Sequence, residues 1–202
     1  MRKLIVSMNI TLDGFMSGPD CELDWHFQHW TEDMAQCARE QLSRADTILL
    51  GRVTYTAMAA YWPAKTADLS FPRDDIDFAS MMNSHAKIVF STTLVGVDWN
   101  NARLAKRSVA AEIAHLKRQP GRDMITYGSG KLVDSLVQSG LVDEYQVWVH
   151  PVVLGKGKPL FRGPEDYMSM RLLQAKTFSS GVVLLCYSVR QRQLYNTNLS
   201  VT

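Results

Sequence analysis

Cysteine is scarce in this 202-residue chain: Cys21, Cys37 and Cys186 are the three present, and they form no CxxC pair. An odd number of scattered cysteines argues against a disulfide framework or a zinc site and favours a reducing, cytoplasmic location. No stretch reaches the roughly 20 apolar residues that a membrane helix needs. The N-terminal apolar run is too short for a secretory signal peptide. We therefore expect no membrane association.

A strong net charge is also lacking, since 22 basic residues face 20 acidic ones and the formal net charge is +2. The basic residues are scattered, which excludes the basic stripe of a nucleic-acid-binding protein. Hydrophobic residues make up 46% of the chain, an ordinary globular value. We expect one domain over residues 1–190 and a polar tail over residues 191–202.

Several catalytic motifs are missing as well. The chain contains no GxxxxGK[ST] and no GxSxG, which excludes a P-loop and a nucleophile elbow. Val133 follows Gly128-Ser129-Gly130 where a dinucleotide fingerprint needs its third glycine, so a conventional Rossmann domain is disfavoured. His26 and His29 lie near Asp24 and Glu32, but the loose spacing favours aromatic packing over a metal site. The aromatic residues that would pack there are Trp25, Phe27 and Trp30.

Short apolar runs alternate with amphipathic segments along the chain. Strands are predicted at residues 4–8, 47–50, 87–90, 124–127 and 145–149, and helices near residues 31–44, 53–60, 76–84 and 108–118. A further helix follows Gly130, and a hairpin joins strands at residues 170–176 and 182–190. Residues 9–24 are predicted to form a long loop, Pro63 to end a helix, and residues 66–75 to be irregular. The pattern indicates an α/β fold with a mostly parallel sheet, helices on both faces and an antiparallel C-terminal hairpin.

Two strand–turn–helix junctions carry the clearest chemical signal, at Gly51-Arg52 and at Gly128-Ser129-Gly130-Lys131. Glycine lets the backbone approach a ligand closely, and a helix N-terminus offers free N–H groups to an anion. Arg52 and Lys131 add full positive charges at these turns. The junctions therefore suit a pyrophosphate, although ordinary turns of α/β proteins that bind nothing look similar.

Two further segments leave alternatives open. Ser91, Thr92 and Thr93 follow a predicted strand and could bind a ribose phosphate or cap a turn. The basic loop at residues 155–158 could meet a phosphate or simply be solvated.

Five segments, taken together and in this order, resemble the dihydrofolate-reductase-like superfamily, and more closely the C-terminal reductase domain of bacterial riboflavin biosynthesis (RibD C-terminal type). They are residues 8–15, Leu-Gly-Arg-x-Thr-Tyr at 50–55, Tyr-Gly-Ser-Gly-x-Leu at 127–132, Gly-Leu-Val-Asp-Glu-Tyr at 140–145 and the His-Pro-Val-Val-Leu-Gly segment that opens 150–161. The resemblance covers residues 2–190.

The resemblance implies a sheet of about eight strands with NADPH bound across its carboxyl edge, and a homodimer joined through edge strands. The implied cofactor-binding residues are Met8, Gly14 and Phe15 near the nicotinamide, Gly51, Arg52, Val53 and Thr54 with Arg52 at the 2′-phosphate, Ser91 and Thr92 at the adenosine ribose, and Gly128, Ser129, Gly130, Lys131 and Leu132 around the pyrophosphate.

The implied reaction is hydride transfer from NADPH to a small heterocyclic or sugar-phosphate substrate, closest to 5-amino-6-(5-phosphoribosylamino)uracil reduction. Candidate proton donors are Asp13, Glu32 and Asp33. The alternatives are a pterin reductase of the dihydrofolate reductase type, a nucleotide-binding module without turnover and a flavin-linked reductase. The Met-Pro-Trp context of true dihydrofolate reductases is missing around Glu32 and Asp33, and no zinc deaminase signature precedes the domain.

Overall fold

The structure is a computed structural model that describes residues 1–66, 73–162 and 168–189. The predicted tail at 191–202 and most of the predicted irregular segment at 66–75 lie outside these residues.

Ten strands and six helices form the described part of the chain. The strands are β1 (Leu4–Thr11), β2 (Phe15–Ser17), β3 (Ala45–Gly51), β4 (Ala86–Phe90), β5 (Ala102–Leu104), β6 (Asp123–Thr126), β7 (Glu144–His150), β8 (Lys158–Pro159), β9 (Met170–Thr177) and β10 (Val183–Val189). The helices are α1 (Asp24–Phe27), α2 (Glu32–Ser43), α3 (Arg52–Lys65), α4 (Arg73–Ser84), α5 (Val109–Lys117) and α6 (Gly130–Gln138). None of them, within the described ranges, is long and apolar enough to cross a bilayer.

Eight strands form one sheet in the order β5-β4-β3-β6-β1-β7-β10-β9. All pairs from β5 to β7 are parallel, whereas β10 pairs antiparallel with β7 and β9. The mixed, mostly parallel sheet and its C-terminal hairpin are therefore confirmed. Because the parallel strands run the same way, the turns that follow β1, β3, β4, β6 and β7 meet at one carboxyl edge.

Both faces of the sheet are covered by helices. Because neighbouring residues on a strand point to opposite sides, they pack against different helices. Leu49 of β3 packs with residues of α5 and α6, such as Ile113 and Leu136. Its neighbours Ile48 and Leu50 pack on the other face with residues of α2, α3 and α4. A third cluster joins α2 to β7 and β10 through Met34, Trp148 and Leu184.

Two predicted boundaries are wrong. Residues 9–24 are not one loop, because β1 continues to Thr11 through register pairs with β7, β2 lies within the segment, and α1 begins at its last residue, Asp24. Pro63 does not end its helix, since α3 continues to Lys65. A proline in the last helical turn removes only one donor, and here Trp62 packs on Phe78 of α4 at 5.2 Å between ring centroids. The Trp62 carbonyl also accepts a hydrogen bond of 3.0 Å from the Asn83 side chain.

Candidate active site

The two glycine junctions meet at the carboxyl edge because their strands, β3 and β6, are neighbours in the sheet. The Gly51 backbone N–H donates to the Gly128 carbonyl at 3.2 Å. A Cβ atom on Gly51 would lie 2.1 Å from the Ser129 Oγ, so only glycine leaves room for this contact. The predicted pair of turns thus forms one continuous backbone surface.

Gly128 shapes the same surface from the β6 side. Its φ of +119° favours glycine, and a Cβ there would lie 3.0 Å from the Thr54 Oγ1. The peptide bond from Gly128 to Ser129 is cis. Thr126, at the end of β6, supports the turn, since its hydroxyl donates to the Gly128 carbonyl at 3.2 Å. Backbone atoms rather than side chains therefore line the junction.

The two helices that start at this surface, α3 and α6, begin without a side-chain cap from their own N-cap residues. Neither Gly51 at the start of α3 nor Ser129 at the start of α6 makes a side-chain cap hydrogen bond. By contrast, Ser108 caps α5 in the usual way, its Oγ accepting from the Ala111 N–H. A negatively charged group placed at the two junctions would find donors and the positive ends of two helix dipoles.

Two cations flank the junctions. Arg52 and Lys131 are exposed residues in the first turns of α3 and α6. Within residues 1–66, 73–162 and 168–189 no carboxylate pairs with either side chain. Both charges are therefore available to a phosphate group.

The other residues implied to touch the pyrophosphate differ in what they offer. Val53 is 51% exposed and Thr54 is half-buried at the junction. Leu132 is buried in the core with α6 neighbours, so its backbone rather than its side chain faces the edge. Gly130 packs against Met16 of β2, where a Cβ would lie 3.0 Å from the methionine methyl group.

The third predicted junction follows β4, next to β3 at the same edge. The Ser91 Oγ accepts from the Thr93 and Leu94 N–H groups at 3.1 and 3.0 Å, so Ser91 caps its own turn. Thr92 is exposed beside it. Of the two alternatives, the turn cap is present, and Thr92 remains open to a ligand.

Met8, Gly14 and Phe15 lie around the end of β1, on the opposite side of β6 from β3. Met8 is half-buried, and Gly14 has a φ of +87°. Phe15 opens β2, which pairs with the short β8 in the basic loop. That loop is not simply solvated: Lys158 lies in β8, and its Nζ contacts the Cys21 Sγ.

Asp13, the first of the carboxylates predicted as proton donors, connects two loops. Asp13 accepts from the Thr11 hydroxyl at 2.5 Å and from the Gly155 N–H at 2.8 Å, and the hydroxyl contact is the main cause that lowers its pKa. It therefore ties the loop after β1 to the loop after β7. An ionised carboxylate is a poor acid, and the candidacy of Asp13 gains no support from this geometry.

The second pair lies in the first turn of α2. Asp33 accepts from the Thr31 hydroxyl, which is the main cause that lowers its pKa, and also from the Met34 and Ser179 N–H groups. It fixes the start of α2 to the β9–β10 hairpin. Glu32 is exposed. The roles of these residues in catalysis stay predictions.

A cluster of aromatic rings and histidines covers the carboxyl ends of β1 and β7. Trp25 and His150 meet edge to face with 5.1 Å between ring centroids, and His26 and His29 lie 6.1 and 6.0 Å from His150. The predicted aromatic packing of this segment is confirmed, and the described residues contain no group of three metal ligands. Sequence reasoning did not include His150 among the candidate site residues, although the structure places it at the centre of this cluster. The available signal was an imidazole at the carboxyl end of a buried strand.

Comparison with known proteins agrees with this architecture. The family model of the RibD C-terminal domain matches residues 2–184. The uncharacterized protein YyaP of Bacillus subtilis is 36% identical over 186 residues, which cover 92% of this chain and 94% of that protein. Both matches span nearly the whole of this chain.

Solved structures show the same fold. A diaminohydroxyphosphoribosylaminopyrimidine deaminase/5-amino-6-(5-phosphoribosylamino)uracil reductase of Thermotoga maritima has a TM-score of 0.64 and 15% identity, covering 94% of this chain and 57% of that one. Dihydrofolate reductase of Enterococcus faecalis, complexed with NADP(H), has a TM-score of 0.61 and 10% identity, covering 94% and 97%. The fold is thus dihydrofolate-reductase-like, as predicted.

Proposed function

The chain belongs to the RibD C-terminal domain family, and from that premise we propose that it is an NADPH-dependent reductase of a small heterocyclic or sugar-phosphate substrate. The reaction it resembles most is that of 5-amino-6-(5-phosphoribosylamino)uracil reductase. The observation that carries the proposal is the contact between the two glycine junctions, where neither helix start has a side-chain cap and, among the described residues, neither Arg52 nor Lys131 pairs with a carboxylate.

The residues present fit such a cofactor. Gly51 and Gly128 let the two turns approach each other closely, since a Cβ on either would meet Ser129 or Thr54, and the first-turn N–H groups of α3 and α6 would hold the pyrophosphate. Arg52 would pair with the 2′-phosphate, and Lys131 would face the pyrophosphate. Thr92 would lie at the adenosine ribose, and Met8, Gly14 and Phe15 at the nicotinamide end. When bound, NADPH supplies the hydride, and the protein supplies position and electrostatics.

A cofactor titration tests the proposal. We expect NADPH to bind more tightly than NADH, because only NADPH carries the phosphate that Arg52 would pair with. Arg52→Ala should weaken the binding of NADPH by about 10- to 100-fold, which corresponds to the loss of one charge-assisted hydrogen bond. The affinity for NADH should change by less than about twofold. Nucleotide fluorescence measures both affinities.

A matched control is Arg118→Ala, since Arg118 is also exposed but lies at the end of α5, before β6 begins. Equal losses for NADPH and NADH in Arg52→Ala would contradict the 2′-phosphate role. Binding of neither nucleotide to the wild type would refute the cofactor itself. Bound NADPH that no pyrimidine, pterin or sugar phosphate oxidises would favour a binding module without turnover.

We also propose a cytoplasmic homodimer. The three cysteines are free thiols, which fits a reducing compartment. Strand β9 is an outer strand of the sheet, and its Leu172 and Leu173 are 51% and 45% exposed, which suits pairing with a second copy. A monomeric mass by light scattering at tens of micromolar protein would refute the dimer.

A further inference from the structure

The cluster over β1 and β7 contains a fully buried imidazole. His150, the last residue of β7, has no exposed surface, and its Nε2 lies 2.9 Å from the Asn9 Oδ1 on β1. An amide oxygen accepts, so this contact puts the imidazole proton on Nε2 and leaves a lone pair on Nδ1. Burial, with smaller effects of His26 and His29, lowers the pKa of His150 to about 4. The ring is therefore neutral at neutral pH, and Nδ1 is an acceptor.

Two polar atoms in this cluster have no hydrogen-bond partner among the described residues. They are the His150 Nδ1, an acceptor, and the Trp25 Nε1–H, a donor, and both are buried. Their rings are in edge-to-face contact, with centroids 5.1 Å apart and planes at 84°. Buried polar groups are almost always paired, so an orphaned donor beside an orphaned acceptor indicates a ligand group that can both accept and donate.

The surroundings of these atoms suit a small planar or partly apolar molecule. Phe27 and Trp30 follow in the same segment and are 66% and 41% exposed. Phe27 packs on His26 with 4.0 Å between centroids, and Trp30 lies 6.1 Å from Trp148. Exposed aromatic faces beside unpaired polar atoms are typical of ligand sites, which combine an apolar wall with a few polar groups.

The cluster lies where the proposed reaction needs its hydride acceptor. Along the edge, the proposed cofactor residues run from β4 through β3 and β6 to β1, and β7 is the next strand. Neighbouring strands are about 4.8 Å apart, so His150 is one strand spacing beyond the proposed nicotinamide end. On the β6 side of the proposed nicotinamide end lies the glycine junction. The β7 side is therefore the side on which the hydride acceptor would bind.

We propose that His150 and Trp25 are specificity-determining residues that bind the hydride acceptor, through a substrate N–H or O–H donated to the His150 Nδ1 and a substrate oxygen or nitrogen that accepts from the Trp25 Nε1–H. The inference rests on the proposed reductase function, which puts the acceptor at this end of the edge. Asn9 is a positioning residue, because it fixes the tautomer of His150. The substrate group enters by separating Trp25, carried on the four-residue α1, from His150.

The test follows the indole N–H signals by NMR in the NADP⁺-saturated protein. Five tryptophans give five signals, and Trp25→Phe identifies that of Trp25. The probes are uracil, a planar ring with adjacent donors and acceptors, ribose 5-phosphate, which offers hydroxyl groups, and 1,3-dimethyluracil, which keeps the ring but has no N–H. We expect uracil or ribose 5-phosphate to move the Trp25 signal, and the responding probe distinguishes a lactam from a hydroxyl. We expect 1,3-dimethyluracil to move it much less than uracil, because it keeps the carbonyl oxygens but cannot donate to the His150 Nδ1.

Two variants measure the contribution of each atom. His150→Leu should weaken the binding of the responding probe at least about tenfold. Trp25→Phe, which keeps an aromatic ring but loses the N–H donor, should weaken it about fivefold. Ligand-observed NMR measures both affinities. NADP⁺ affinity should stay within about twofold in both. His85→Leu is the matched control, because His85 is also buried but precedes β4 at the opposite edge of the sheet.

Three results would overturn the inference: no probe moves the Trp25 signal, 1,3-dimethyluracil moves it as strongly as uracil, or neither variant weakens the probe. The NADPH titration keeps the two proposals separable. If NADPH binds with the expected selectivity and the Trp25 signal ignores all probes, the inference about His150 fails alone. If NADPH does not bind the wild type, the proposed function fails and this inference fails with it.

Discussion

Gly51→Ala isolates the steric contact on which the candidate site depends. Gly51 has φ −80° and ψ 162°, an extended conformation that alanine adopts freely. The backbone therefore does not oppose the substitution. The new methyl group would lie 2.1 Å from the Ser129 Oγ and 3.1 Å from the Ser129 Cβ and N. Any damage must come from this overlap between the two junctions.

The expected loss of stability is about 1–2 kcal/mol. Overpacking costs about 1–3 kcal/mol, while alanine in a compatible conformation gains about 0.4–1 kcal/mol by restricting the unfolded chain. The Ser129 hydroxyl can rotate away, but its Cβ and N are held by the turn into α6. Separating the junctions also spreads the N–H groups that would bind the pyrophosphate. We therefore expect NADPH affinity to fall by about fivefold or more.

Urea unfolding and nucleotide fluorescence measure the two effects. Ser129→Gly in the Gly51→Ala background removes the Cβ and Oγ that the methyl group meets, and should restore most of the lost stability in a double-mutant cycle. Gly96→Ala is the control, since nothing lies within 4 Å of a Cβ there. A Gly51→Ala protein with wild-type stability and NADPH affinity would show that the two junctions do not form one rigid surface.

Two further predictions concern buried titratable groups. Lys87→Met should lower the free energy of unfolding, measured with urea, by about 2–3 kcal/mol, because the Lys87 Nζ donates to the carbonyls of Met82, Asn83 and His85 at the end of α4. The surface control Lys3→Met should lower it by less than about 1 kcal/mol. The free energy of unfolding should also decrease, by up to about 3 kcal/mol, as the pH is lowered from 6.5 to about 4. The reason is that the pKa of His150 is lower in the folded chain, so the unfolded chain binds the proton first as the pH falls. His150→Leu should flatten this part of the profile; an unchanged slope would contradict the assignment.

Most of the fold follows from local pattern. Apolar runs such as residues 47–50 and 124–127 are the centres of β3 and β6, and Ser108 caps α5 as its position predicts. The errors arise where tertiary contacts override local signals. Asn9 and Thr11 look polar and loop-like, yet they extend β1 because β7 offers paired backbone groups up to His150. The short strands β2, β5 and β8 have two or three residues, too few for a hydrophobic period.

The features of the candidate site likewise divide into those that the sequence predicts and those that depend on tertiary contacts. Gly51, Gly128 and the basic residues beside them are visible in the sequence, because turns that approach a ligand through the backbone admit few residue types. The contact between the turns is not visible, since it depends on β3 and β6 being neighbours although Gly51 and Gly128 are 77 positions apart in the sequence (128 minus 51). The sequence offers Asp13 and Asp33 as candidate acids, which they remain, and only the structure shows that they also hold loops together.

This division follows from how the two halves of the edge would recognise their ligands. Phosphate recognition by backbone N–H groups needs glycine and a helix start, so the half formed by β3 and β6 has few sequence solutions. Recognition of a hydride acceptor uses side-chain donors and acceptors, for which many residue sets serve equally well. On the proposed function, the half formed by β1 and β7, with Asn9, His150 and Trp25, would therefore leave less of a sequence signature than the half that would hold the cofactor. On that proposal, the buried atoms over β7 that lack a partner among the described residues, rather than the glycine turns, would determine which substrate this chain binds.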